Sequence, residues 1–155
     1  MPVFLSHKLE DTTQTIRIKT FLEGEGINCY VDTLDPATKS TDDLTKLIMD
    51  RVKACTHLMA VVSNYTTQSW WVPFEIGVGS ELQRRITSYK LSTVDLPEFL
   101  KKWPILASTR DLESFVEFYR RDQTVTPLER KYRAATVQSS DQFHSELKGA
   151  LRQFR

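Results

Sequence analysis

The chain is poor in the residues that most often announce a fold or a chemistry. Only two of its 155 residues are cysteines, Cys29 and Cys55, and they stand in no C-x-x-C spacing. Both lie in apolar contexts. They read as buried thiols of a reduced, cytoplasmic protein rather than as a disulfide or a metal pair. Glycine occurs five times, at Gly24, Gly26, Gly77, Gly79 and Gly149. Neither GxxxxGK[ST] nor GxGxxG can be assembled from these positions, which removes the two commonest glycine-rich phosphate cradles. No apolar run approaches the roughly 18 residues of a membrane span. The opening Met1-Pro2-Val3-Phe4-Leu5-Ser6-His7 lacks the basic start and the cleavage site of a secretion signal. Neither sign of charge dominates: 21 Lys and Arg face 20 Asp and Glu, for a net +1. Such a balance supplies no global field to draw in nucleic acid or an anionic membrane, so neither is expected as a partner.

The composition that remains, 40% hydrophobic and 26% charged, is that of an ordinary globule. The length suits one domain over residues 1–155, with a core large enough to need no covalent staple. Short apolar runs alternate with helical patterns. Val3-Phe4-Leu5 is the first run. Ile18, Phe21 and Leu22 then give i, i+3, i+4 spacing on a helix that stops at Gly24-Glu25-Gly26. Ile27 to Val31 is a second strand, and a polar segment from Thr33 to Asp43 follows it. Leu44, Leu47, Ile48 and Val52 mark a second helix. His57 to Ser63 is apolar nearly throughout, as a strand buried on both faces must be.

Further along, the spacing predicts a helix over 74–85 with Pro73 in its first turn, and strands over 86–91 and 103–107. Leu112, Phe115, Val116 and Tyr119 form another helical stripe. A last helix is expected to start at Ser139, with Gln142 completing a capping box, and to carry Phe143, Leu147, Ala150, Leu151 and Phe154 inward. Residues 92–155 form the less regular part, and the stretch around Pro127 reads as an insertion at a rim or a neighbour contact. Strands that alternate with helices imply parallel βαβ units with helices on both faces of one sheet. In such a sheet ligands bind beyond the carboxyl ends of the strands. That singles out Ser6, His7 and Lys8 after the first strand, Asp32 after the second, and Ser63, Asn64 and Tyr65 after the third.

The segment Asn64-Tyr65-Thr66-Thr67-Gln68-Ser69-Trp70-Trp71-Val72-Pro73-Phe74-Glu75 is the most distinctive. Adjacent tryptophans precede a carboxylate, and positions 71 and 75 share one face of a helix. Read plainly, the pair fills core and Glu75 is a solvated first-turn carboxylate. Read functionally, an indole stands beside an acid near the carboxyl end of the third strand. The three histidines, His7, His57 and His144, share no metal-ligand spacing, so no metal site is expected. Ser63 has no G-x-S-x-G context. The pairs Lys101-Lys102 and Arg120-Arg121 read as solvated faces.

Three stretches resemble a known family. Val3-Phe4-Leu5-Ser6-His7 resembles the first box of a TIR (Toll/interleukin-1 receptor) domain, Gly26 to Asp32 its second strand, and Thr33 to Asp43 its BB loop. Ser69-x-Trp71-Val72-x-x-Glu75 is similar to the S-x-W-C-x-x-E signature of NAD-cleaving members, with Val72 where Cys is usual. The resemblance implies a flavodoxin-like parallel five-stranded sheet in the order 2-1-3-4-5, flanked by helices on both faces. It also implies cleavage of the nicotinamide–ribose bond of NAD⁺, which is the substrate and not a cofactor.

That reaction asks little of a protein. An alkoxide leaving group must be protonated, so ordinary glycosidases use two carboxylates. The nitrogen that leaves NAD⁺ already carries positive charge and departs as neutral nicotinamide. One fixed carboxylate beside the ribose then suffices to stabilise the oxocarbenium-like transition state. Glu75 is the candidate, and an unperturbed Glu, with a pKa near about 4.3, is ionised at neutral pH. By the same resemblance Trp71 walls the site or braces it from behind, His7 stacks or hydrogen-bonds, and Lys8 meets a phosphate. Ser6 and Asp32 line the cleft, and Ser69 caps the helix. His7 stands where the family commonly has Tyr.

The likeness is to short prokaryotic TIR proteins of antiviral defence, such as those of Thoeris-type systems. It implies a product, ADP-ribose, a cyclic isomer or a conjugate, read as a second messenger by a separate effector protein. It also implies a homo-oligomer formed through BB-loop contacts over residues 32–43. The competing reading is a non-catalytic TIR adaptor that acts by assembly alone and has no need of Trp71 together with Glu75.

Overall fold

The computed structural model describes residues 2–31, 41–124 and 138–153. Five strands and five helices are set out there: β1 (Val3–Ser6), α1 (Thr12–Gly24), β2 (Cys29–Val31), α2 (Thr41–Ala54), β3 (His57–Val62), α3 (Trp71–Glu81), β4 (Arg85–Lys90), β5 (Ile105–Leu106), α4 (Thr109–Gln123) and α5 (Gln138–Gln153). Single 3-10 turns over Leu9–Asp11, Asn64–Gln68 and Glu98–Lys102 join some of them. The strands form one all-parallel sheet in the order β2-β1-β3-β4-β5. This is the flavodoxin-like arrangement that the resemblance implies.

Alternation along the central strands explains the two layers of helices. Successive strand side chains point to opposite faces. Val3, Leu5, Met59 and Val61 therefore pack with Ile18 and Leu22 of α1, Phe115 of α4 and Leu147 of α5. Phe4, Leu58, Ala60 and Val62 pack with Leu44, Ile48 and Val52 of α2 and Val72 and Ile76 of α3. All four residues of β1 and all six of β3 are buried. That is why these strands are apolar apart from Ser6 at the end of β1 and His57 at the start of β3. Ser6, two residues beyond Phe4, falls on the α2–α3 face, which decides the helix its hydroxyl can meet.

Helix ends follow local chemistry, with one instructive departure. α1 closes in a Schellman motif: Gly26 takes φ +78°, its N–H reaches the Glu23 carbonyl, and the N–H of buried Ile27 reaches Leu22. The same pair of bonds closes α3, from Gln83 to Ser80 and from Arg84 to Gly79, but the residue in the left-handed region is Gln83, at φ +53°. No glycine marks that stop. The helix predicted over 74–85 is therefore misplaced: α3 runs from Trp71 to Glu81, and β4 starts at Arg85. At Gly79 an added Cβ would sit 3.0 Å from Leu58 Cδ1. This close approach draws α3 down onto the sheet.

Other boundaries shift slightly. β2 begins at Cys29 rather than Ile27, and β5 is only Ile105–Leu106, because Trp103 closes the preceding 3-10 turn. α5 starts one residue before Ser139, and the Gln142 amide donates to Glu146 one turn on. The expectations placed on Asp32, on most of the segment 33–43, on Pro127 and on Phe154 lie outside the described residues. Both cysteines are free, and burial pushes the Cys29 thiol up to about 12 and the Cys55 thiol up to about 11, so neither is a ready nucleophile. Among the described residues no helix is long and apolar enough to cross a membrane.

Candidate functional site

Two strand ends and one helix build the site. β1 ends at Ser6, which is fully buried. α3, which follows β3, carries Glu75 on its inward face with 3% of its surface exposed. The Ser6 hydroxyl donates a hydrogen bond to Glu75 Oε2. The two residues are 69 positions apart in sequence, and the packing of α3 on the sheet joins them. A buried carboxylate is costly unless donors face it, and Ser6 supplies one. Glu75 is thus no solvated first-turn carboxylate: it is held at the carboxyl end of the sheet, in a place of low dielectric.

The loop that leads into α3 is braced at several points. Ser63 opens the 3-10 turn in a reciprocal capping box with Thr66, and its side chain also accepts from the Tyr65 N–H. The Ser69 N–H reaches the Thr66 carbonyl at 2.9 Å. Ser69 Oγ in turn accepts from the Val72 N–H at 3.3 Å, while the N-cap position of α3 is held by Trp70. The two tryptophans part company here. Trp71 is half-buried, edge-on to Phe74 at 5.9 Å, and packed against the Val72–Ile76 cluster. Trp70 is 89% exposed.

After β1, His7 is half-buried and its Nε2 lies 3.0 Å from Thr12 Oγ1. The Thr12 hydroxyl also donates to the Leu9 carbonyl, which ties the His7 turn to the start of α1. Lys8 pairs with Glu10 at 3.2 Å and is partly exposed. The motif reading omits one residue, Asp11. It is buried and accepts from Ser63 Oγ at 2.6 Å, tying the turn after β1 to the turn after β3. Its signal in the sequence is faint, an acidic residue just before a helix, a position that ordinarily serves the helix dipole. Ser63 therefore has a carboxylate partner and no histidine. A separate cavity of about 570 Å³ opens at the carboxyl ends of β4 and β5, between Lys90, Thr93, Lys101 and Ala107.

Of the remaining candidates, His57 and His144 sit deep in the fold, and Arg120 and Arg121 are exposed and paired with Glu25 and Glu117. Among the described residues no three His, Cys, Asp or Glu side chains stand together as metal ligands.

Comparison with known proteins places these features in a family. The model of the TIR domain matches residues 3–124. The chain is 25% identical over 88 residues to the protein named "Probable 3' cyclic ADP-D-ribose synthase ThsB'" of Bacillus cereus (strain MSX-D12). That stretch is 54% of this chain and 46% of that protein, so the chain spans about half the length of the curated relative it matches. Among solved structures, the TIR domain of the Toll-related receptor TRR-2 of Hydra magnipapillata superposes with a TM-score of 0.57 at 21% identity, over 77% of this chain and 92% of that one. A 2-deoxyribosyltransferase from Bacillus psychrosaccharolyticus gives a TM-score of 0.60 at 11% identity, over 73% and 90%. Both share the fold.

Proposed function

The chain belongs to the TIR domain family, and from that premise we propose that it cleaves the nicotinamide–ribose bond of NAD⁺ with Glu75 as its catalytic carboxylate. One observation carries the reading: a glutamate 3% exposed, at the carboxyl end of a parallel sheet, receiving a hydrogen bond from the last residue of β1. An adaptor that works by assembly alone has no use for such a group. The name of the Bacillus cereus relative, a cyclic ADP-ribose synthase, supports the same chemistry.

In this reading the glycosidic bond breaks with its electron pair passing to the pyridinium nitrogen, and neutral nicotinamide leaves without a general acid. Positive charge gathers on the ribose C1 and ring oxygen. The Glu75 carboxylate, fixed by Ser6 and screened from bulk water, stabilises that charge more than it stabilises the ground state. A nucleophile then bonds to C1 through its lone pair, and the proton released, from the attacking oxygen or from the amino group conjugated to an attacking ring nitrogen, passes to solvent. Water yields ADP-ribose, a hydroxyl or ring nitrogen of the substrate itself yields a cyclic isomer, and another small molecule yields a conjugate. His7 and Lys8, on the rim after β1, meet the polar parts of the substrate. The active form is a homo-oligomer in which a neighbour's 32–43 segment completes the site. The product serves a separate effector in antiviral defence.

The test is release of nicotinamide from NAD⁺ across a range of protein concentrations, with the products identified by mass spectrometry. Release that vanishes in Glu75→Gln, while the folded spectrum is kept, supports the reading. Release that survives the substitution, or a well-folded oligomer that releases none, refutes it.

A further inference from the structure

Trp70 is the most exposed large hydrophobic side chain among the described residues. Its backbone, by contrast, is firmly held. The Trp70 carbonyl accepts from the Phe74 N–H at 3.3 Å, Ser69 Oγ just before it accepts from the Val72 N–H, and the turn before that is closed by the Ser63–Thr66 capping box. A rigid support that presents an aromatic ring to water is the construction of a stacking platform, since the ring loses little freedom when a ligand lies on it. Two other large apolar or aromatic side chains are exposed on these loops, Leu9 on the turn after β1 and Tyr65 on the turn after β3, among the polar Asn64, Thr67 and Gln68. They border the strand ends from which Ser6 and Glu75 are reached.

We propose that Trp70 positions the substrate by stacking on its adenine ring. The proposal rests on the reading of the Glu75 site given above. Helical geometry assigns the ring. Glu75 lies five positions after Trp70, a rise of about 7.5 Å with about 140° of rotation. The indole therefore stands on the solvent side of α3, more than a turn nearer its amino end than the carboxylate, and does not cover it. The scissile bond must lie at the buried carboxylate, so the base that reaches an exposed platform at the mouth is the one at the other end of the dinucleotide. Energetics agree. An indole on the pyridinium would favour the charged ground state over a transition state in which that charge is leaving, whereas an indole on adenine adds affinity without opposing the reaction.

The test compares two substrates with the same scissile bond, NAD⁺ and nicotinamide mononucleotide, which lacks adenine. We expect Trp70→Ala to lower the preference for NAD⁺, as the ratio of the two kcat/KM values, on the order of 10-fold, the usual loss of one base–aromatic stack. The loss should appear in KM for NAD⁺ and not in its kcat. Trp70→Phe should restore most of it, and Trp70→Leu, apolar without a π face, should not. An unchanged ratio overturns the proposal, whether both substrates suffer equally or neither does. A loss that disappears at high protein concentration also overturns it, by assigning Trp70 to a contact between copies. Should the wild-type chain release nicotinamide from neither substrate, the cleavage reading fails on its own. Calorimetric titration with adenosine monophosphate then decides the platform: binding that is lost in Trp70→Ala and kept in Trp70→Phe supports it, and no binding overturns it.

Discussion

At the carboxyl ends of the strands, Ser6 and Asp11 each link to a partner on another element, Glu75 and Ser63, beside loops that leave Trp70 and Tyr65 in water. The amino ends of the same sheet are also polar but sealed. His57, the first residue of β3, is wholly buried among the rings of Phe115, Tyr119 and Phe143. Its Nδ1 lies 2.9 Å from Thr56 Oγ1. Arg85, the first residue of β4, pairs with Asp122 of α4 at 3.0 Å, and His144 of α5 accepts the Ile86 N–H at 2.8 Å. Polar groups at the amino ends bolt α4 and α5 to the sheet, whereas those at the carboxyl ends hold a buried carboxylate beside the loops that follow the strands. Burial alone does not separate these roles. What separates them is whether the shell around the buried group is closed by rings or opens onto loops.

The sharpest way to break this contrast is at Glu75. Glu75→Gln should cut nicotinamide release by at least about 100-fold, as removal of a preorganised electrostatic partner does, while the denaturation midpoint moves little. The mirror experiment is His57→Ala. It should cost about 3 kcal/mol of stability, read from urea unfolding, by leaving a cavity among three rings, with nicotinamide release per folded molecule unchanged.

Acid offers a further test of the sealed end. Burial holds His57 well below the usual imidazole range and His144 at about 4. The unfolded chain therefore binds more protons than the folded one as pH falls below about 6.5. Stability is full above that value and declines toward pH 4. Between pH 7 and 5 the contribution of His144 alone is about 2 kcal/mol. His144→Gln, which keeps an acceptor for Ile86, should flatten that limb in urea titrations at the two pH values. A variant as acid-sensitive as the wild type would remove His144 from the account. A smaller effect is expected at the open end. Ser6→Ala should lower kcat/KM for NAD⁺ about 10-fold by freeing the carboxylate from its donor, with less change in stability than at His57.

Much of the fold was legible because its causes are local. The uninterrupted apolar runs of β1 and β3 announce strands covered on both faces, and the spacing of Ile18 with Leu22 and of Leu44 with Ile48 announces the helices that cover them. The end of α3 was not legible, since Gln83 fills a position that glycine usually marks. The spacing of Trp71 and Glu75 pointed to the helix that carries the site. It could not tell which tryptophan is packed and which is bare, because two neighbours on a chain look alike until something stands against one of them. Asp11 was missed for the same reason: its partner, Ser63, is 52 residues away.

By itself, then, the sequence determined the alternation of strands and helices and the one helix worth watching, which follow from side-chain periodicity within a dozen residues. Only tertiary structure decided that Glu75 is buried, that Ser6 holds it and that Trp70 is left outside. Those facts depend on how closely α3 settles on the sheet at Gly79, and a contact across 69 residues is set by the packing of whole surfaces, which no local pattern encodes.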